Sequence, residues 1–254
     1  MTDKQIPFSG PMVRALLEGR KTQTRRVAKL PSNPENYLGM NGAGDHVFPS
    51  EGGWGGQWRA PYATDDRLWV REAWRTSTVY DDLSPREMGG EEPIQYEADS
   101  SLETWGWPVR HWCEGRYRPS MFMPRWASRL TLTVTDVRVQ RVQEISGDDA
   151  IAEGIAHADG RQLLNCYGPD CPTDQSRSCN AHGCWGCRED FRDLWNRLNA
   201  KRGYGWDANP WVAAYTFTVH HQNIDQIGAT TCAEAGAAAA AAKSGSPRES
   251  GRGS

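Results

Sequence analysis

Gly19-Arg20-Lys21-Thr22-Gln23-Thr24-Arg25-Arg26 is the stretch on which the reading of this chain turns. It carries an ammonium, guanidinium groups from Arg20, Arg25 and Arg26, two hydroxyls and an amide. It follows directly on an amphipathic helix pattern. Between Ser9 and Gly19, Ser9 can cap the N-terminus and Pro11 suits the first turn. Met12, Val13, Leu16 and Leu17 share one face, and Gly19 fits a left-handed stop. A helix that ends on glycine and runs straight into such a cluster holds it in a fixed direction. By composition alone the cluster also reads as a solvated basic turn.

A second stretch bears on that choice. Leu130–Thr135 and Val137–Val142 are rich in β-branched residues and interrupted by Asp136, so they predict a strand pair or one long bent strand. Ile145-Ser146-Gly147-Asp148-Asp149-Ala150-Ile151-Ala152-Glu153-Gly154-Ile155 follows. Ser146 with Asp149 three residues later is similar to a capping box, and Gly154 stops the helix. Taken alone, Glu153 reads as an exposed helix-terminal carboxylate.

Two motifs in this order, Gly-x-Lys-x-x-Thr-x-Arg (Gly19, Lys21, Thr24, Arg26) and Asp-Ala-x-x-Glu-Gly (Asp149, Ala150, Glu153, Gly154), resemble the ASCH domain family. The fold of that family is related to the PUA barrel. Many of its members have an acidic residue where this chain has Thr24. The variant Gly-Arg-Lys-Thr-x-Thr resembles the small bacterial amidohydrolases that remove the acyl group from N4-acetylcytidine. The resemblance covers residues 5–27, 65–74, 129–155 and 189–219. It implies an α+β fold, a PUA-like mixed β-barrel with flanking helices. It also implies a catalytic set of Lys21, Thr24 and Glu153, a nucleoside or nucleobase substrate, and no cofactor for catalysis. Arg26, Arg71 and Thr22 are the candidate substrate-binding residues. The alternatives are a non-catalytic RNA- or nucleobase-binding module and an ASCH-type ribonuclease.

One geometric condition accompanies the catalytic reading. Lys21 and Thr24 share a face of a helical turn but lie on opposite faces of a regular strand. A turn or bulge must therefore separate them. Given that, the threonine hydroxyl needs a neighbouring base, which Lys21 can be only when neutral, with Glu153 then acting as general acid and base toward the leaving nitrogen and the deacylating water. Alternatively, a charged Lys21 stabilises the oxyanion while Glu153 activates water.

Composition sets the bounds. The 254-residue chain has a net charge of −3, so no global basic field marks a duplex nucleic-acid binder. No run approaches the length of an apolar membrane span, and no signal-peptide core opens the chain; a cytoplasmic protein with no membrane partner is expected. Domain organisation reads as one domain over 1–222 with insertions at 28–62, 78–128 and 156–188, then a low-complexity tail at 223–254 predicted to be disordered. Residues 28–62, rich in Gly, Pro and Asn, read as a long loop. Asp66–Trp74 alternates as a strand, with Leu68 and Val70 opposite Trp69 and Arg71. Trp105–Arg129 interleaves aromatic rings with arginines, which suits base stacking or Arg-on-Trp packing at a domain edge. Glu189–Arg202 predicts an amphipathic helix with Phe191, Leu194, Trp195 and Leu198 as its stripe, and Val212–Val219 a final strand.

Of the seven cysteines, Cys166, Cys171, Cys179, Cys184 and Cys187 crowd into one insertion. Cys184-Trp185-Gly186-Cys187 has a zinc-knuckle spacer, and Cys171 and Cys179 could complete a tetrahedral structural zinc site. Cys166 or His182 are substitutes for one of the set, and free thiols in a loop are the plain alternative.

Overall fold

The β-branched runs on either side of Asp136 form a single strand, and its partner is the final strand of the pattern. In the computed structural model, which describes residues 2–30, 35–49, 56–105, 112–155 and 185–227, these are β10 (Thr131–Arg141) and β11 (Trp211–His220). They pair antiparallel from Thr131↔His220 to Arg141↔Trp211, with a register shift between Val134 and Asp136. The interruption read at Asp136 is thus a bulge that bends one long strand. Around this pair are built β1 (Asp3–Pro7), β2 (Gln23–Val27) and β6 (Arg67–Arg71), giving a five-stranded sheet of order β1-β6-β10-β11-β2. Only the β1–β6 pair within it is parallel.

Alternation sends Ile6, Leu68, Val70, Leu132, Val134, Ala213, Tyr215 and Phe217 to one face, where they meet Val13 and Leu16 of helix α1 (Gly10–Leu17). Two further helices, α2 (Gly147–Ala152) and α3 (Trp185–Asn199), form a second core with Val142, Ile145, Ala150, Phe191, Trp195 and Val212. Of the stripe expected on α3, Phe191 and Trp195 are buried, while Leu198 is 47% exposed and faces outward.

The architecture is α+β, and the main sheet does not close into a barrel. Its edge strands β1 and β2 are joined in sequence by α1 but share no ladder. A side chain crosses the gap instead: Arg26 Nη2 donates to the Pro7 carbonyl at 2.7 Å, with the guanidinium 5.2 Å from the Phe8 ring.

Two small sheets flank this core. Strands β3 (Gly39–Met40), β4 (His46–Phe48) and β5 (Gly56–Trp58) pair antiparallel within the segment expected to be a long loop. That expectation is corrected. Strands of two or three residues are too short to show a period, and they are held by packing, with Phe48 edge-on to Trp211 at 5.3 Å. Strands β7 (Trp74–Arg75), β8 (Ile94–Tyr96) and β9 (Leu102–Glu103) form the other, over a core of Trp74, Ile94, Tyr96, Met123 and Ala127.

The aromatic–basic stretch serves this second lobe. Arg129 forks onto Glu72 (2.8 and 2.9 Å), bonds Asp99 and stacks on Tyr96 at 4.0 Å. Arg125 is paired with Asp3 and Asp225, and Arg118 lies over Trp74 while donating to the Tyr80 and Leu83 carbonyls. Here the arginines cross-link parts of the protein, the packing alternative. Past residue 222, Asn223 donates to the carbonyls of Arg125, Trp126 and Ser128, and Ile224 is fully buried. Packed chain therefore runs beyond the expected end of the domain; residues 228–254 lie outside the described residues. Among the described residues no helix is long and apolar enough to cross a membrane.

Candidate active site at the open seam

Helix α1 ends as its sequence predicts, with Gly19 at φ +70°, the left-handed region that glycine enters without strain. The chain then turns back so that the Lys21 N–H donates to the Ala15 carbonyl at 3.0 Å. Lys21 and Glu153 form an isolated antiparallel bridge, and the Thr22 N–H donates to the Ala152 carbonyl at 2.8 Å. β2 begins only at Gln23. This break supplies the irregularity that the Lys-x-x-Thr spacing demands.

Glu153 follows the last turn of α2, where Ser146 Oγ accepts the Asp149 N–H as its sequence implies. Gly154 comes next at φ +85° and lies so close that a Cβ there would sit 2.9 Å from Ala15 Cβ and 3.0 Å from Lys21 Cβ. Only glycine allows this approach, which brings the two motifs together.

Lys21 is fully buried and Glu153 is 7% exposed. The Lys21 Nζ donates to Glu153 Oε2 at 2.7 Å and to the Glu153 main-chain carbonyl at 2.8 Å. Burial drives the Lys21 pKa down; Glu153 offsets this in part, and Arg26 and Arg25 push it further down. Across Glu153, Arg25 Nη1 reaches Oε1 at 3.2 Å, and its Nη2 pairs with Asp149 at 2.7 Å. Burial would raise the Asp149 carboxyl, but hydrogen bonds from Arg138 and Gln23 and the charge of Arg25 outweigh it and hold it low.

Thr24 is 2% exposed and sits across from Tyr215 in the β2–β11 ladder, so the two side chains share a sheet face. It is the face toward α1, where the Lys21 ammonium also lies, 5.8 Å from the Phe8 ring. The Thr24 hydroxyl forms no hydrogen bond among the described residues. Lys21 and Glu153 are thus in contact, while Thr24 stands on the same side without bonding either.

The three candidate substrate-binding residues go to different places. Arg26 is half-buried at the seam and has no carboxylate partner among the described residues. Thr22 is exposed, its backbone held on both sides by Ala152 and Phe217. Arg71 lies at the end of β6, donating to Gln5 Oε1 at 2.6 Å and stacked on Trp69 at 5.4 Å; no contact ties it to Lys21 or Glu153. Arg25, Tyr62 and Tyr215 belong to the neighbourhood but were not singled out from the sequence. Arg25 was visible inside the basic cluster, whereas Tyr215 had no signal, because its proximity to Thr24 depends on strand pairing across the chain.

Of the four cysteines proposed for zinc, Cys171, Cys179 and Cys184 lie outside the described residues. Cys187 is buried among Val142, Ile145, Phe191 and Trp195 and forms no disulfide among the described residues. No metal-holding cluster occurs among the described residues. A cavity of about 650 Å³ opens between the end of α2 and α3, lined by Gly154, Ile155, Asp190, Asp193, Leu194 and Arg197 among others. Neither Lys21, Thr24 nor Glu153 lines it, and the chain leaving Ile155 passes outside the described residues.

Comparison with protein families, characterised proteins and solved structures finds no match to this chain.

Proposed function

We propose that the protein is an amidohydrolase that removes the acyl group from N4-acylated cytosine or cytidine. It would use Lys21, Thr24 and Glu153 on a PUA-like scaffold left open at the β1–β2 seam. The observation that carries this reading is the buried contact between Lys21 and Glu153 across 132 residues of sequence. A buried ion pair contributes little net stability compared with well-packed apolar side chains. Its presence on the same side of the sheet as Thr24, whose hydroxyl is unbonded among the described residues, suits chemistry better than scaffolding. The motif resemblance to ASCH amidohydrolases supports the same three residues.

The hydrogen-bond inventory of Lys21 favours the base role. A neutral amine offers two N–H donors and one lone pair. Both donors find acceptors on Glu153, one on the carboxylate and one on the main chain, which leaves the lone pair of the neutral form free to take a proton. Burial lowers the Lys21 pKa, which raises the share of that neutral form.

In the first half-reaction Thr24 Oγ adds to the acyl carbon as its proton passes to Lys21. The tetrahedral adduct collapses with cleavage of the C–N bond, and Lys21 returns the proton to the departing exocyclic nitrogen. In the second, Lys21 takes a proton from water as its oxygen attacks the Thr24 ester. The ester C–O bond breaks, the proton returns to Thr24 Oγ, and the carboxylic acid leaves. Glu153 holds the amine in line and stabilises the transient ammonium. Arg26, a cation without a carboxylate partner among the described residues, supplies the polar contact for the substrate at the rim.

The test is incubation of purified protein with N4-acetylcytidine and quantitation of released cytidine. Lys21→Ala, Thr24→Ala and Glu153→Ala should each lower turnover on the order of a hundredfold or more, without adding when combined. A Thr24→Ala protein that keeps full turnover rejects the acyl-enzyme. A wild-type protein that binds cytidine yet releases nothing from the acylated substrate transfers the assignment to a nucleobase-binding module.

A further inference from the structure

The core beneath the seam contains one misfit. Its buried members are aliphatic residues, phenylalanines and a single tyrosine, Tyr215. Tyr215 is fully buried, yet its hydroxyl has no side-chain hydrogen-bond partner among the described residues. The Tyr62 N–H lies nearby as a weak donor to the oxygen, and the phenolic proton has no acceptor among the described residues. A buried orphan hydroxyl lowers stability, and phenylalanine would fill the same space without that cost. Such a group in an otherwise apolar core calls for an explanation.

Its position supplies one. Tyr215 is the cross-strand partner of Thr24, on the same face of the sheet. Its ring meets the Tyr62 ring edge-on at 5.1 Å, and both phenols interact electrostatically with Arg26. Tyr62 and Arg26 are only half-buried and form the rim, while Thr24 and Tyr215 lie beneath them. A tyrosine side chain is several bonds longer than that of threonine. Its hydroxyl therefore lies farther from the shared sheet than that of Thr24, on the side of Tyr62 and Arg26. Burial also raises the phenol's pKa, so it stays a donor throughout the working pH range.

Building on the proposed activity, we infer that Tyr215 is a specificity-determining residue that donates its phenolic hydrogen bond to an acceptor on the pyrimidine ring while the acyl group lies at Thr24. Between them the two hydroxyls would measure the substrate: one reacts with the acyl group, the other reads the base. A site that satisfies its own buried polar group with the ligand discriminates strongly against rings that lack the acceptor.

Tyr215→Phe removes only the hydroxyl. The variant is compared with wild type in steady-state hydrolysis of N4-acetylcytidine, in calorimetric binding of cytidine, and in thermal unfolding. The expected result is a KM raised about tenfold or more with kcat changed little, cytidine binding weakened by a similar factor, and a melting temperature equal to or above wild type. An unchanged KM together with unchanged cytidine binding overturns the inference. A lowered melting temperature also overturns it, because the hydroxyl would then have a partner inside the fold. A wild type that binds cytidine through Tyr215 but hydrolyses nothing refutes the amidohydrolase reading and leaves this inference standing. One that does neither refutes both.

Discussion

Replacing Lys21 by methionine and Glu153 by leucine, singly and together, separates what this pair does for stability from what it does for chemistry. The fully buried Lys21 Nζ has two acceptors, the Glu153 carboxylate at 2.7 Å and the Glu153 carbonyl at 2.8 Å. Glu153→Leu removes the only carboxylate in contact with it among the described residues and should cost about 3–5 kcal/mol, the usual penalty for stranding a buried charge. Lys21→Met is milder, because Arg25 still reaches Glu153 at 3.2 Å; a loss of about 1–3 kcal/mol is expected. The double variant replaces both charges with apolar groups and should lie within about 1 kcal/mol of wild type, so the pair is coupled by several kcal/mol. Urea unfolding followed by circular dichroism, with unchanged m-values, measures each corner of the cycle. A pH series adds a check on sign. The folded-state pKa of Lys21 lies below its ordinary 10.5, so between those two values the unfolded chain binds more protons than the folded one. Stability rises with pH across that window, and the Glu153→Leu penalty should shrink as Lys21 becomes neutral. A double variant as unstable as the sum of its singles, or Glu153→Leu milder than Lys21→Met, would show that the two side chains are not a coupled buried pair. The double variant should be folded and inactive.

Gly154→Ala places a Cβ 2.9 Å from Ala15 Cβ and 3.0 Å from Lys21 Cβ at φ +85°. The left-handed backbone and the crowding together should cost about 2–5 kcal/mol, and thermal unfolding indistinguishable from wild type would show that the approach is not tight. At Asp66, burial favours the protonated form, but hydrogen bonds from Lys4, Thr2 and the Ala63 N–H prevail and hold the pKa at about 2 against an ordinary 3.8. That difference corresponds to about 2 kcal/mol, present above the ordinary value and lost as pH falls through the folded one. The stability gap between wild type and Asp66→Asn should therefore close on acidification from about pH 5 to pH 2, and a gap that persists at the acid end contradicts it. For the cysteine insertion, elemental analysis of protein purified without chelator should find about one zinc per chain, held mainly by Cys171, Cys179, Cys184 and Cys187. No metal together with freely titrating thiols rejects that site.

Several features could be read from the sequence because each is specified by residues close together in the chain. The helix from Gly10 to Leu17 with its glycine stop, the Ser146 cap, the strand around Val70 and the long β10–β11 pair all lie where local pattern puts them. The Lys-x-x-Thr spacing even required a break before β2, and the break is at Thr22. Other features carried no such signal. β1 has little periodicity of its own and is a strand because Ile6 is drawn into the core beside Val70 in parallel register. The two- and three-residue strands between 39 and 58 exist because Phe48 and Tyr37 pack on Trp211, far along the chain. Whether Glu153 is an exposed helix end or a buried partner of Lys21 was not a local question. Only the approach of Gly154 to Ala15 and Lys21 removes water from around both charges, which at once lowers the lysine pKa and makes the contact strong. Likewise the open seam, and the pairing that sets Tyr215 beside Thr24, arise from the order of a five-stranded sheet that does not close. Patterns of period two and 3.6 say which face of an element is buried, but not which distant element covers it.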